Sequence, residues 1–142
     1  MPKPLARVLV VEDEPLLAES IQSVLAWRRV DAMHCGTGEE ALAVLNTETF
    51  DLLLLDIRLP GMSGLDLVTE VRANPALRRV PVVFMTGDTN PANRKEARRL
   101  GAADFLEKPL NMDKFATCIL GHLKLGPIRR PKIPTGWKPR RP

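Results

Sequence analysis

A chain of 142 residues is long enough for one compact domain with a sizeable core, and 44% hydrophobic with 27% charged residues is an ordinary globular composition. The net charge of +4 is unevenly spread: residues 124–142 hold seven cations (Lys124, Arg129, Arg130, Lys132, Lys138, Arg140, Arg141) and no acid, leaving 14 basic against 17 acidic residues, or −3, in residues 1–123. This excludes a basic, nucleic-acid-binding domain as the main body and predicts a mildly acidic domain, residues 1–123, with a basic, proline-rich tail, residues 124–142. No apolar run approaches the ~20 residues of a membrane span, and Met1 to Arg7 lacks the apolar core of a signal peptide. Cys35 and Cys118 have no framework spacing, so the expected setting is a reducing cytoplasm with both thiols free.

Leu5 to Val11 is apolar except for Arg7 and rich in β-branched residues, which predicts a first strand ending at Glu12-Asp13-Glu14. Pro15 suits the first turn of a helix, where a missing N–H leaves no bond unmade, and Leu17, Ile21, Val24 and Arg28 fall on one of its faces. Val30 to Cys35 predicts a short second strand. Thr37 and Glu40 have capping-box spacing and open a helix to about Leu45. Residues 51–64 then read Asp-Leu-Leu-Leu-Leu-Asp-Ile-Arg-Leu-Pro-Gly-Met-Ser-Gly. The four leucines are too few for a helix and show no polar alternation, so they predict a strand buried on both faces. Asp56 ends it at the rim where open α/β sheets place their ligands, under a loop bent by Pro60, Gly61 and Gly64. Alone, Asp56 could equally be a strand-ending residue turned to water.

Ser63 can cap a third helix with Leu65, Val68 and Val71 inward, broken at Asn74-Pro75. Val80 to Met85 is another apolar strand, with Pro81 tolerable near its start, and it delivers Thr86 to the same rim as Asp56. Asn90-Pro91 caps a fourth helix, Ala92 to Leu100, whose Arg94, Lys95, Arg98 and Arg99 read first as a solvated face and second as a partner or dimer surface. Ala103 to Leu106 predicts a fifth strand, followed by Lys108-Pro109. Asn111 opens a last helix with Met112, Phe115, Ile119 and Leu123 on one face. Five strands alternating with five helices predict an α/β fold, a parallel sheet covered on both sides.

The stretches Val-Leu-Val-Val-Glu-Asp-Glu, Leu-Leu-Leu-Asp-Ile-Arg-Leu-Pro-Gly-Met-Ser-Gly, Val-Phe-Met-Thr-Gly and Gly-Ala-Ala-Asp-Phe-Leu-Glu-Lys-Pro occur in that order across residues 5–123. Together they resemble the receiver domain of two-component response regulators. The resemblance implies a flavodoxin-like (βα)5 doubly wound sheet with strand order 2-1-3-4-5. It also implies Asp56 as phosphoacceptor, Asp13 and Asp56 as direct Mg²⁺ ligands, and Glu12 acting through water. The main-chain carbonyl of Arg58 is implied as a further ligand, Thr86 and Lys108 as phosphoryl-binding groups, and a cis peptide before Pro109. Phe105 falls where the family carries an aromatic switch: Thr86 is drawn to the phosphoryl group and the ring turns inward, a population shift driven by a local charge. Phenylalanine lacks the hydroxyl of the more usual tyrosine, so an outward ring has no polar tip; a static core aromatic is the alternative.

The residues support that chemistry independently. Acids after the first strand disfavour joint ionisation with Asp56, and a hard divalent cation relieves the repulsion. A glycine-rich loop there would have suggested a nucleotide phosphate, whereas Glu12-Asp13-Glu14 repels a bare one. With Mg²⁺ present, Asp56 becomes a nucleophile toward a phosphoryl group, Lys108 supplies a cation and Thr86 a hydrogen bond.

The expected role is therefore a stand-alone receiver, phosphorylated by a histidine kinase or phosphotransfer protein, with a downstream protein target and possible homodimerisation. The short tail leaves no room for an output domain, and neither a membrane nor a nucleic acid is an expected partner. Two rivals stand beside it. An aspartyl-phosphate phosphatase commonly carries a second Asp two residues after the nucleophile, where this chain has Arg58. A binding scaffold needs none of the five site residues. His34-Cys35 and Cys118/His122 could each be metal pairs, but two ligands fall short of the three or four a zinc site needs. The tail has five prolines and an extended or disordered composition, while Ile128, Ile133 and Trp137 are apolar anchors for packing on the domain or on a second copy.

Overall fold

Leu52–Leu55 forms the central strand, and all four leucines are fully buried, as a strand covered on both faces demands. The structure is a computed structural model, and it describes residues 3–125. In chain order the elements are β1 (Ala6–Val11), α1 (Pro15–Ala26), β2 (Val30–Cys35), α2 (Gly38–Leu45), β3 (Leu52–Leu55), α3 (Gly64–Ala73), β4 (Val82–Thr86), α4 (Pro91–Arg99), β5 (Asp104–Glu107) and α5 (Met112–His122). All pairings are parallel and the strand order is β2-β1-β3-β4-β5, the flavodoxin-like order implied by the resemblance.

Alternate residues of the central strands build two cores. Leu9, Val11, Leu53, Leu55 and Phe84 pack with Leu67, Val68 and Val71 of α3, while Val8, Val10, Leu52 and Leu54 pack with Ile21 and Leu25 of α1 and Phe115 and Ile119 of α5. Both faces are thus apolar, which is why the leucine run shows no period of two.

Several details differ from the sequence-based expectation. The buried stripe of α1 is Ala18, Ile21 and Leu25; Leu17 and Val24 flank it, and Arg28 lies beyond the helix end. On α5 the buried stripe is Phe115, Ala116, Ile119 and Leu120, with Met112 and Leu123 at its margins. Both stripes are about one residue to the side of the expected ones, because a helix wedged between a sheet and a neighbouring helix buries the residues on two adjoining faces. Thr37 caps α2 through the Glu40 amide, but the Glu40 carboxylate reaches the Gly36 amide instead of closing a box on Thr37. The complete capping box is at α3, between Ser63 and Asp66. β4 begins after Pro81 and runs on through Thr86, since the Thr86 carbonyl accepts from the Lys108 amide at 3.0 Å. β5 is shifted by one residue toward Glu107 and is half-exposed as an edge strand.

Only Ala97 of α4 is buried, and this helix presents Lys95, Arg98 and Arg99 to solvent. Among the described residues no helix is long and apolar enough to cross a membrane. The expectations for Ile128, Ile133 and Trp137 fall outside the described residues.

Candidate functional site

Parallel pairing brings every strand to the same edge with its carboxyl end. The Glu12 amide donates to the Cys35 carbonyl at 3.0 Å and the Asp56 amide to the Val11 carbonyl at 3.1 Å, so the residues just past β1 and β3 are still held side by side by the ladder. Among the described residues Glu12, Asp56 and Thr86 are the buried polar side chains, at the ends of strands that pack into the two apolar cores. Lys108 follows β5 and reaches across the edge.

The Lys108 ammonium lies 2.6 Å from Asp56 Oδ2 and 2.9 and 3.1 Å from the two Glu12 carboxylate oxygens. Asp56 Oδ1 accepts from the Arg58 main-chain amide at 3.0 Å, and Glu12 Oε1 accepts from the Glu14 amide. Burial pushes the Glu12 carboxyl above its usual range, and the bonds from Lys108 only partly oppose this. For Lys108, burial acts to lower the pKa, but hydrogen bonds to Asp56 and Glu12 outweigh it and the ammonium is held above its ordinary value. A single cation thus pairs with two buried acids and leaves the cluster net negative, while among the described residues every buried side-chain polar atom has a partner.

Asp13 is exposed, and its carboxylate comes within 4.8 Å of those of Glu12 and Asp56. Three carboxylates from two strand ends form an all-oxygen donor set, the kind a hard ion such as Mg²⁺ prefers. Above them is an open cleft of about 540 Å³ whose walls include Asp13, Asp56, Thr86, Gly87 and Lys108. The Thr86 oxygen accepts from the Asp88 amide at 3.1 Å, which leaves the hydroxyl proton for donation into the cleft. At the mouth, Arg58 Nε pairs with Asp88 Oδ2 at 3.3 Å. The Asn90 amide, the Asn93 side chain and Arg58 hold the Asp88 carboxyl below its usual range.

The five residues expected at one rim therefore meet: Glu12, Asp13, Asp56, Thr86 and Lys108. The Lys108–Pro109 peptide is cis. Phe105 is half-buried, with its ring 6.3 Å from that of Phe84 and the Arg94 guanidinium 4.6 Å over its centroid. Arg94 therefore supplies the polar contact that phenylalanine cannot make for itself.

Two features escaped the sequence. A Cβ at position 64 would collide with the Asp56 carbonyl oxygen, so Gly64 is needed for the close approach of α3 to the strand end as well as for a turn. Asp104 joins Cys118 and His122 as a third metal-ligand type, which corrects the dismissal of that pair for want of ligands. His34, by contrast, contacts the Glu12 carbonyl at 2.6 Å and gathers no such cluster among the described residues. The signal for Asp104 was absent because fourteen or more residues separate it from its partners.

The sequence profile of the response regulator receiver domain matches residues 8–120, from within β1 to nearly the end of α5. The chain belongs to that family. The transcriptional regulatory protein CrdR of Helicobacter pylori is 34% identical over 122 residues, 86% of this chain and 57% of CrdR. The chemotaxis response regulator CheY4 of Vibrio cholerae superposes with a TM-score of 0.77 at 26% identity, covering 82% of this receiver and 98% of that chain. The receiver domain of the sensor histidine kinase PA1611 from Pseudomonas aeruginosa superposes with a TM-score of 0.75 at 25% identity, over 84% of this receiver and 98% of that chain, and its structure is described with a magnesium ion coordinated in the active-site cleft. This receiver spans about half or less of the length of most of the curated relatives it matches.

Proposed function

We propose that this receiver accepts a phosphoryl group on Asp56 from a histidine kinase or phosphotransfer protein, in a Mg²⁺-dependent reaction. In this reading it acts in the cytoplasm as a single-domain regulator, residues 1–123, with residues 124–142 as an appended tail, and its output runs through contacts with a downstream protein. The observation that carries the reading is the ammonium of Lys108 held against both Asp56 and Glu12 at the end of the central strand.

Asp56 Oδ2 attacks phosphorus, the new O–P bond forms as the donor's N–P bond breaks, and the leaving imidazole keeps the electron pair and takes a proton. Oδ1 stays on the Arg58 amide, which fixes the plane of the nucleophilic carboxylate. Lys108 moves its contact from the carboxylate oxygen to a phosphoryl oxygen while Glu12 continues to anchor it. Thr86 donates its hydroxyl to a second phosphoryl oxygen, and withdrawal of Thr86 into the cleft leaves space for the Phe105 ring. Asp13 and Asp56, with the Arg58 main-chain carbonyl, would hold Mg²⁺, and Glu12 would act through water. When bound, the ion supplies charge neutralisation for the transferring phosphoryl oxygens. Arg58 stands where a phosphatase would need its acid/base, so the protein catalyses only its own phosphorylation and dephosphorylation.

Incubation with Mg²⁺ and acetyl phosphate followed by intact mass measurement tests this. The expected product carries one phosphoryl group, absent from Asp56→Asn and from samples in chelator. An unmodified wild-type mass overturns the reading in favour of a scaffold, and steady hydrolysis of an alkyl phosphate monoester overturns it in favour of a phosphatase.

A further inference from the structure

Cys118 and His122 lie four residues apart on α5 and so share one face of the helix, and that face is turned to the start of β5. Asp104 Oδ2 accepts from Cys118 Sγ at 3.1 Å and sits 3.0 Å from His122 Nε2. All three donor atoms are within 4.8 Å of one another. In the ladder Asp104 is level with Val83, three residues from the level of Thr86, so this cluster belongs to the amino-terminal half of the sheet edge and not to the cleft. We propose that Asp104, Cys118 and His122 form a site for a borderline-soft divalent transition metal, Zn²⁺ fitting best, with a fourth position open to water or to a partner's side chain.

The geometry suits a small tetrahedral ion. With metal–ligand bonds near 2.0–2.3 Å, neighbouring donors around zinc are roughly 3.4 Å apart, so the carboxylate oxygen has to withdraw only a few tenths of an ångström from each partner. Asp104 is already oriented, because its other oxygen accepts from the Phe105 amide at 2.8 Å, an outer-shell restraint of the kind that fixes metal ligands. The site is open, with the His122 side chain 28% and that of Asp104 42% exposed. One thiolate, one carboxylate and one neutral imidazole cancel the charge of a divalent ion. Magnesium, which prefers oxygen, does not compete for such a set.

Burial, with help from the Asp104 hydrogen bond, pushes the Cys118 thiol up to about 12. The metal therefore displaces that proton into solvent as the metal–sulfur bond forms, and apparent affinity rises about tenfold per pH unit for the one proton released. The chain holds only two cysteines and two histidines, so the contributions separate cleanly.

The test uses the reduced full-length protein, stripped with chelator and titrated with Co²⁺ as spectroscopic probe and with Zn²⁺ against a chelating indicator. One Zn²⁺ per chain is expected, together with a near-ultraviolet thiolate-to-cobalt charge-transfer band that Zn²⁺ removes. Cys118→Ser should abolish the band, and His122→Gln, chosen because the side chain is partly exposed, should weaken Zn²⁺ by more than the ~10–100-fold typical of losing an outer-shell partner. Cys35→Ser and Asp56→Asn should change neither readout, so the result stands apart from the phosphorylation reading. A missing band in wild type, a band that survives Cys118→Ser or is lost with Cys35→Ser, or Zn²⁺ affinity unmoved in a folded His122→Gln protein overturns the proposal.

Discussion

Lys108 is the residue on which the rim depends, because among the described residues it is the one cation touching Glu12 and Asp56 where neither is well hydrated. Breaking a buried ion pair from one side leaves uncompensated charge, which typically costs about 3–5 kcal/mol. Lys108→Met is therefore expected to lower stability by that order in urea unfolding with chelator present, and Mg²⁺ should restore part of it by neutralising the same carboxylates. The pH dependence follows from the raised Lys108 pKa. A base whose folded value lies above its unfolded value gives its full stabilisation below the ordinary lysine value of about 10.4 and loses it as pH rises through the higher folded value. The gap between wild type and Lys108→Met should thus narrow at strongly alkaline pH, where Lys108 gives up its proton, and also in acid, where the Glu12 carboxyl, held above its usual range by burial, takes one up. Gly64→Ala probes the other side of Asp56. Its methyl group meets the Asp56 carbonyl, and neither the strand end nor the first turn of α3 can yield freely. A loss of about 1–3 kcal/mol is expected from such overpacking, with slower acetyl-phosphate labelling because the acceptor's main chain is displaced.

At the scale of elements, the face of Phe105, the proposed switch residue, is covered by the neighbouring helix. Arg94 of α4 covers Phe105 of β5 and pairs with Glu107 at 3.6 Å, so a helix whose cations otherwise face solvent has one cation joined to the edge strand. An exposed cation–π contact contributes about 0.5–1 kcal/mol, enough to shift a two-state ring by a few-fold. Arg94→Ala should therefore increase exchange broadening of the Phe105 ring signals in NMR of the unphosphorylated protein while leaving the melting temperature nearly unchanged. None of this was legible in the sequence, where Arg94 looked like one of four solvated cations. What was legible follows from local physics. Leu52–Leu55 and Val82–Met85 announce themselves because strands buried on both faces need unbroken apolar runs, and Ser63 and Asn111 announce helix starts because their side chains cap amides three residues on. Asp13, Asp56, Thr86 and Lys108 could be placed together because parallel strands share one carboxyl edge. Asp104 could not be placed with Cys118 and His122, since no short-range period links a strand start to the last turns of the following helix.

For the whole molecule the informative quantity is the division of charge, −3 over residues 1–123 against seven cations and no acid in residues 124–142. α5 runs opposite to the strands, so the chain leaves it at the amino-terminal edge of the sheet, where Leu123 and Leu125 still pack on the second core. Leu5 and Trp27 are exposed at that same edge, since they stand at the start of β1 and just past the end of α1. An apolar surface thus lies on an acidic body at the edge where the described residues end. Full burial of a large apolar side chain contributes about 1.5–3 kcal/mol, while ordering each residue's backbone costs about 1–2 kcal/mol. By that arithmetic Ile128, Ile133 and Trp137 alone would not offset the cost of ordering ten residues, and the basic tail is expected instead to favour association with the acidic body of a second copy of the chain. Ending the chain at Leu125 should accordingly leave the melting temperature of the dilute protein close to that of the full chain. In sedimentation at low salt and higher concentration, the full chain should be the heavier species and the truncated chain a monomer. Because exposed charges are screened beyond about 8 Å at 0.15 M ionic strength, raising the salt should bring the two sedimentation profiles together. Identical profiles at low salt would show that the tail has no part in association.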